Sequence, residues 1–127
     1  MAGDSVASTY AASNVKFGSI ATAGWFYGGT YVASSDRKLK KNIVPLENSL
    51  EEILSLRGVN YEWKDIKKGE EINYGFIAQE VQEIIPDLIS KDFNNNLTIN
   101  YNGIIPILVE AIKDQQKQID ELKEKLK

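Results

Sequence analysis

The sequence predicts an α+β fold: a small helix and strand domain, with a C-terminal coiled-coil helix on one side and an N-terminal intertwined β stalk segment on the other. Three observations predict it. Charge is divided unevenly, since residues 1–34 hold only Asp4 and Lys16 while the other 31 charged residues follow. Beyond residue 42 the apolar residues switch between a period of two and a period near four, the marks of strands and helices. Over the last 25 residues the spacing settles at seven, the repeat of a helical seam. The expected divisions are therefore 1–34 for the stalk end, 35–101 for the α+β domain and 102–127 for the coiled-coil helix.

Taken in order, "VKFGSIATAGWFYGGTYVASS" sets β-branched and aromatic residues between glycines, with Val15, Phe17 and Ser19 alternating with Lys16 and Gly18. Such short strands cannot close a core alone, so the segment is expected to pair with other copies of itself. A flexible linker is the alternative, against which Trp25, Phe26, Tyr27 and Tyr31 weigh. "PLENSLEEILSLRG" places Leu46, Leu50, Ile53 and Leu54 on one helical face, with Gly58 as the stop. "VNYEWK" alternates Val59, Tyr61 and Trp63 as a strand with one buried face. A strand from Ile72 to Ile77 leads into a short helix that ends before Pro86. Gln79 and Glu80 open that helix, where capping is favoured over contact with a neighbouring subunit. "LISKDFNNNLTINY" reads as a hairpin turned at Asn94, Asn95 and Asn96, residues that tolerate positive φ. Glu51, Glu52, Glu70 and Glu71 read as solvated surface.

In the final helix Ile105, Ile112, Ile119 and Leu126 recur every seven residues, and Leu108, Gln115 and Leu122 fill the second seam position. The polar stretch from Asp114 to Gln118 favours projection and association over packing on the chain's own domain. Pro106 is acceptable with a cap near Asn102, because it then lies in the first turns. Ile at one seam position with Leu at the other leans towards dimers, whereas an intertwined stalk favours three chains; a buried Gln115 sets register at a cost in stability.

Composition excludes much chemistry. The chain has no cysteine and no histidine, which removes disulfides, thiolate metal sites, cysteine nucleophiles, Ser-His-Asp arrangements and the commonest zinc ligand. No metal or cofactor is expected. A net charge of −3 argues against broad nucleic-acid affinity, since neutralising phosphates needs surplus cations. No apolar run nears the roughly 20 residues of a membrane span. The start, "MAGDSVASTYAAS", lacks the parts of a secretory signal, which predicts synthesis in the cytosol. "YGGTY" lacks the spacing and following helix of a phosphate loop.

That leaves "VASSDRKLKKNI", residues 32–43, at the boundary between the two halves. With histidine and cysteine absent, Ser35 and Lys40 are the one familiar pairing of nucleophile and base still available. A lysine with the ordinary pKa of about 10.4 is neutral in only about one molecule in a thousand at neutral pH. Base work needs a lower value, as burial beside other cations gives. Arg37, Lys38 and Lys41 supply the cations, and subunits closing around the segment would supply the burial. A serine and a lysine five apart are weak evidence on spacing alone. Asp36 either orients or neutralises a neighbouring cation or caps a turn.

Four blocks in order, "SDRKLKKNI", "LRGVNYEWK", "YGFIAQEVQEIIP" and "YNGIIPILVEAIKDQQKQI", carry a resemblance over Ser34 to about Leu122. The chain resembles the C-terminal intramolecular chaperone domain of phage tailspikes, tail fibres and neck appendages, a self-cleaving serine peptidase, and is also similar to the autoprocessing domain of myelin regulatory factor. The resemblance implies a homotrimer that assembles the fibre part of its own chain and then cuts itself off. It implies cleavage of the Ser34–Ser35 bond, with Ser35 as nucleophile and Lys40 as base. For that chemistry Asp36 and Asn42 are candidate support, and the sequence does not identify the oxyanion donors, for which backbone N–H groups and Asn42 are candidates. It also implies assembly in the host cytoplasm and release from the mature virion fibre. The alternatives from other classes are a non-catalytic receptor-binding fibre tip and a coiled-coil adaptor.

Overall fold

The computed structural model describes Thr30 and residues 32–127. The stalk expected for residues 1–34 lies outside the described residues, apart from Thr30 and Val32–Ser34. Residues Ala33–Lys127 form one compact unit.

Local sequence sets each element. A 3-10 turn at Arg37–Leu39 starts on Asp36, whose side chain accepts the Lys38 backbone N–H. Helix α1, Ser49–Ser55, follows Asn48, which takes the left-handed conformation at φ 58°. That start shifts the helical face from the one expected. Ser49, Ile53 and Leu56 turn inwards, Leu54 is 73% exposed, and Leu46 lies ahead of the helix. The stop also differs: the backbone becomes extended at Leu56, ψ 144°, before Gly58 is reached.

Strand β1, Val59–Tyr61, pairs antiparallel with β2, Asn73–Gly75, in the register Val59 to Gly75 and Tyr61 to Asn73. Trp63 falls beyond β1 and is half-exposed; its ring meets Tyr61 edge-on, with centroids 5.2 Å apart, and lies under the Lys68 ammonium. Helix α2, Ala78–Ile84, ends ahead of Pro86 as expected, and Pro86 begins a 3-10 turn to Leu88. Strands β3, Ile89–Lys91, and β4, Leu97–Ile99, make the hairpin, with Ile89 opposite Ile99. Its turn has Asn95 at φ 66°. The Asp92 carboxylate accepts the backbone N–H groups of Asn94 and Asn96, each at 2.9 Å. These donors, that of Asn96 foremost, hold the Asp92 carboxyl below the usual carboxylate range.

Helix α3, Ile104–Lys125, starts after the Asn100 side chain accepts the Gly103 N–H at 3.2 Å. Pro106 is its third residue, where a backbone N–H has no helical partner to lose. The core gathers Val81 and Ile85 of the α2 region, Leu88, and Ile104 and Ile107 of α3. Ile53, Leu56, Phe76, Ile84, Ile89 and Ile99 close around it. Helix α1 packs along α3, where the small residues Ser49 and Ala111 are both buried.

Tyr101 ties the first hairpin to the second. Its hydroxyl accepts the Phe76 N–H at 3.0 Å, and its ring stacks on Phe76 at 6.0 Å. A Cβ on Gly75 would overlap that hydroxyl, so the strand end needs glycine there.

Helix α3 presents two apolar faces. Ile104, Ile107 and Ala111 are buried on the domain, whereas Ile105, Leu108, Ile112, Ile119 and Leu122 are exposed, as is Gln115. The alternatives weighed for this helix therefore divide between its faces: one packs on its own domain and the heptad seam is left free.

Candidate active site

A serine and a lysine five apart meet when the intervening chain makes one tight turn. Here the Leu39 N–H bonds to the Asp36 carbonyl and the Lys40 N–H to the Arg37 carbonyl, each at 3.0 Å. These two bonds fold the segment back on itself. Lys40 Nζ then donates to Ser35 Oγ at 2.5 Å. Ser34 immediately precedes Ser35, so the expected scissile bond adjoins the pair.

The other expected residues divide. Asp36 caps the turn through Lys38 N at 3.0 Å, and its second oxygen lies 3.8 Å from Lys38 Nζ. Both readings of Asp36 thus describe its contacts. Asn42 has φ 53° and bends the chain two residues after Lys40. Among the described residues no hydrogen bond joins its side chain to Ser34 or Ser35. Arg37, Lys38 and Lys41 all flank the pair and are exposed.

Every residue from Val32 to Asn48 is exposed in the single chain. That includes Leu39, Ile43 and Val44, at 68%, 59% and 75%. The chain's own fold therefore forms the Ser35–Lys40 contact without enclosing it.

Away from the pair, Glu80 does not cap α2, which starts from Ile77 without a side-chain cap. It accepts instead from Arg57 Nη2 at 2.6 Å, a contact that holds the guanidinium still more firmly protonated. The partners are 23 residues apart, and no local spacing marks them. Tyr61 and Tyr101 approach each other near Gly75; burial, then Tyr101, pushes the Tyr61 phenol up. Among the described residues no helix is long and apolar enough to cross a membrane.

Comparison with known proteins finds relatives among phage tail fibres. The long tail fiber protein Gp37 of Enterobacteria phage K3 is 36% identical over 98 residues, 72% of this chain and 8% of that protein. Its counterpart in Salmonella phage S16 is 36% identical over 115 residues, 81% of this chain and 15% of that protein. In Enterobacteria phage M1 the figures are 35% over 96 residues, 70% and 38%. The chain thus spans well under half the length of these relatives. Residues 35–90 match the family Peptidase_S74, chaperone of endosialidase, in a stretch that opens on Ser35. Over that segment the chain is similar to the chaperone-of-endosialidase family.

Proposed function

We propose that this chain is the C-terminal intramolecular chaperone of a phage tail fibre, which gathers three copies and then severs itself between Ser34 and Ser35. The observation that carries the reading is the Lys40 Nζ to Ser35 Oγ hydrogen bond, closed by the Arg37–Leu39 turn beside the Ser34–Ser35 bond. In that bond the ammonium donates. Once the amine is neutral the same contact runs in reverse, with the hydroxyl donating its proton.

Ser35 Oγ then attacks the Ser34 carbonyl carbon through a five-membered ring of Oγ, Cβ, Cα, N and C. The nucleophile is tethered to its target, so little entropy remains to be lost when the rotamer is held. Lys40 takes the hydroxyl proton and returns it to the departing Ser35 nitrogen as the C–N bond breaks. The amide has become an ester. Water hydrolyses it to a Ser34 carboxylate and the free Ser35 hydroxyl. Asn42 serves by bending the chain behind Lys40.

Assembly supplies what one chain lacks. The exposed seam of Ile105, Leu108, Ile112, Gln115, Ile119 and Leu122 associates as a three-stranded coiled coil. Neighbouring chains then cover the segment carrying Leu39, Ile43 and Val44 and desolvate Lys40 among its cationic neighbours, which favours the neutral amine. Residues 1–34 are the end of the fibre, 35–101 the processing domain and 102–127 the coiled coil. Assembly takes place in the host cytoplasm, and the domain leaves the virion fibre after cleavage.

A time course on the refolded chain tests this by mass spectrometry and denaturing gel. Pieces of residues 1–34 and 35–127 are expected, with none from Ser35→Ala. Neutral hydroxylamine should speed release and leave Ser34 as a hydroxamate, the signature of an ester. A trimer that keeps the bond intact would point to a fibre tip without chemistry.

A further inference from the structure

Asp36 stands between the two members of the pair, yet its carboxylate faces neither. Oδ1 accepts the Lys38 backbone N–H at 3.0 Å, and Oδ2 lies 3.8 Å from Lys38 Nζ. Its backbone carbonyl accepts the Leu39 N–H at 3.0 Å. We infer that Asp36 is a positioning residue for self-cleavage, which sets the Ser35–Lys40 contact by capping the turn and not through its charge. This rests on the reading of Ser35 and Lys40 given above.

Among the described residues the turn has only its local bonds to hold it. It is three residues long, and Val32 to Asn48 are all exposed, so no core contact fixes its shape. Its local hydrogen bonds must do so, and the cap satisfies the Lys38 N–H, which the turn's own backbone bonds leave unpaired. The charge matters less. The pair with Lys38 joins side chains that are 80% and 55% exposed, where water screens the attraction. The orientation also has a chemical consequence. A carboxylate facing the Lys40 amine would favour its protonated form, and the cap keeps those oxygens turned towards Lys38.

Neutral capping groups should therefore replace Asp36. Asn and Ser cap as well as Asp, while Ala does not. On the full chain, Asp36→Ala is expected to slow cleavage about fivefold, the factor that losing one such cap brings. Asp36→Asn and Asp36→Ser should stay within about twofold of the parent. The pH dependence of cleavage should keep its midpoint in Asp36→Asn. Cleavage by Asp36→Asn as slow as by Asp36→Ala, or a shifted midpoint, would show the charge at work and overturn the inference. So would an Asp36→Ala chain that cleaves like the parent.

A readout that needs no cleavage separates this inference from the reading beneath it. In chains made inert by Ser35→Ala, the Lys38 amide proton should exchange about fivefold faster with Asp36→Ala and unchanged with Asp36→Asn. Equal exchange in all three overturns the cap. A folded trimeric parent that never cleaves, with the exchange pattern intact, would count against self-cleavage alone.

Discussion

Lys40→Arg isolates the role given to the amine. Arginine keeps the positive charge, continues the backbone of the Arg37–Leu39 turn, and can donate to Ser35 Oγ as Lys40 Nζ does across 2.5 Å. What it cannot do is give up its proton, because the guanidinium stays charged at any pH a protein survives. The substitution therefore preserves charge, turn and hydrogen bond while removing the acceptor. A positioned general base is worth about 10²- to 10⁴-fold in rate. At about 1.4 kcal/mol per tenfold, the barrier should rise by about 3–5 kcal/mol. Coulombic terms should cancel, because both side chains carry one positive charge. Lys40→Ala should be as slow as Lys40→Arg, since both lack an acceptor. The assay starts from chains held in urea and diluted to begin folding, with the residue 1–34 piece followed by mass spectrometry. Trimer content is measured alongside by sedimentation. In the parent the rate should rise with pH as more of the amine becomes neutral, and this rise should be missing from Lys40→Arg. A Lys40→Arg trimer that cleaves within about threefold of the parent would refute base catalysis by this residue.

Three further outcomes follow from the fold. Ile112→Ser, at a seam position 63% exposed in the single chain, should change monomer stability by no more than about 0.5 kcal/mol yet abolish association by sedimentation. Cleavage should fall with it. Ile107→Ala, in the core at 5% exposure, should cost about 2–5 kcal/mol in urea melts. Leu54→Ala, on the outer face of α1, should cost under about 0.5 kcal/mol. Asp92, held below the usual carboxylate range chiefly by the Asn96 N–H, contributes stability that is present above its unfolded pKa near 3.9 and lost as pH falls through the folded value. The thermal midpoint of the Ser35→Ala chain should therefore drop below about pH 4, and Asp92→Ala should lack that part of the acid dependence.

What the sequence made legible was whatever local rules decide. The asparagine run specified the hairpin because a two-stranded turn needs a residue that tolerates positive φ, and Asn95 is that residue. Pro86 ended α2 because its ring excludes a helical residue before it. The heptad at Ile105, Ile112 and Ile119 was legible as a face apart from the core, and α3 leaves those residues exposed. The inner face of α1 was not. Its phase depends on where the helix begins, and Asn48 in the left-handed conformation starts it one residue before Leu50, which puts Ser49 inside. The Arg57–Glu80 pair and the Tyr101–Phe76 contact were also out of reach, since each joins parts of the chain more than 20 residues apart. The Ser35–Lys40 pair lies between these cases. The residue types and a spacing of five are visible, but chance gives the same spacing. Only the turn that closes it distinguishes a pair in contact from two polar residues on a loop.

That turn also bears on timing. Its hydrogen bonds span three or four residues, so it needs no partner chain and forms as soon as the segment is made, on the timescale of local structure. If cleavage waits for assembly, as proposed, geometry cannot be what delays it. Environment can, because the segment is open to water in the single chain. Enclosing a lysine amine among other cations drives it towards its neutral form. On this reading trimerisation acts as the switch by excluding water from a pair already in contact. A stalk of inter-chain strands forms slowly, because its contacts are non-local. In the proposed function, tying the cut to enclosure would ensure that no chain loses its coiled coil before its partners arrive. Once the cut is made, the separated fibre has lost the element that gathered its chains, and its persistence becomes a matter of unfolding rate.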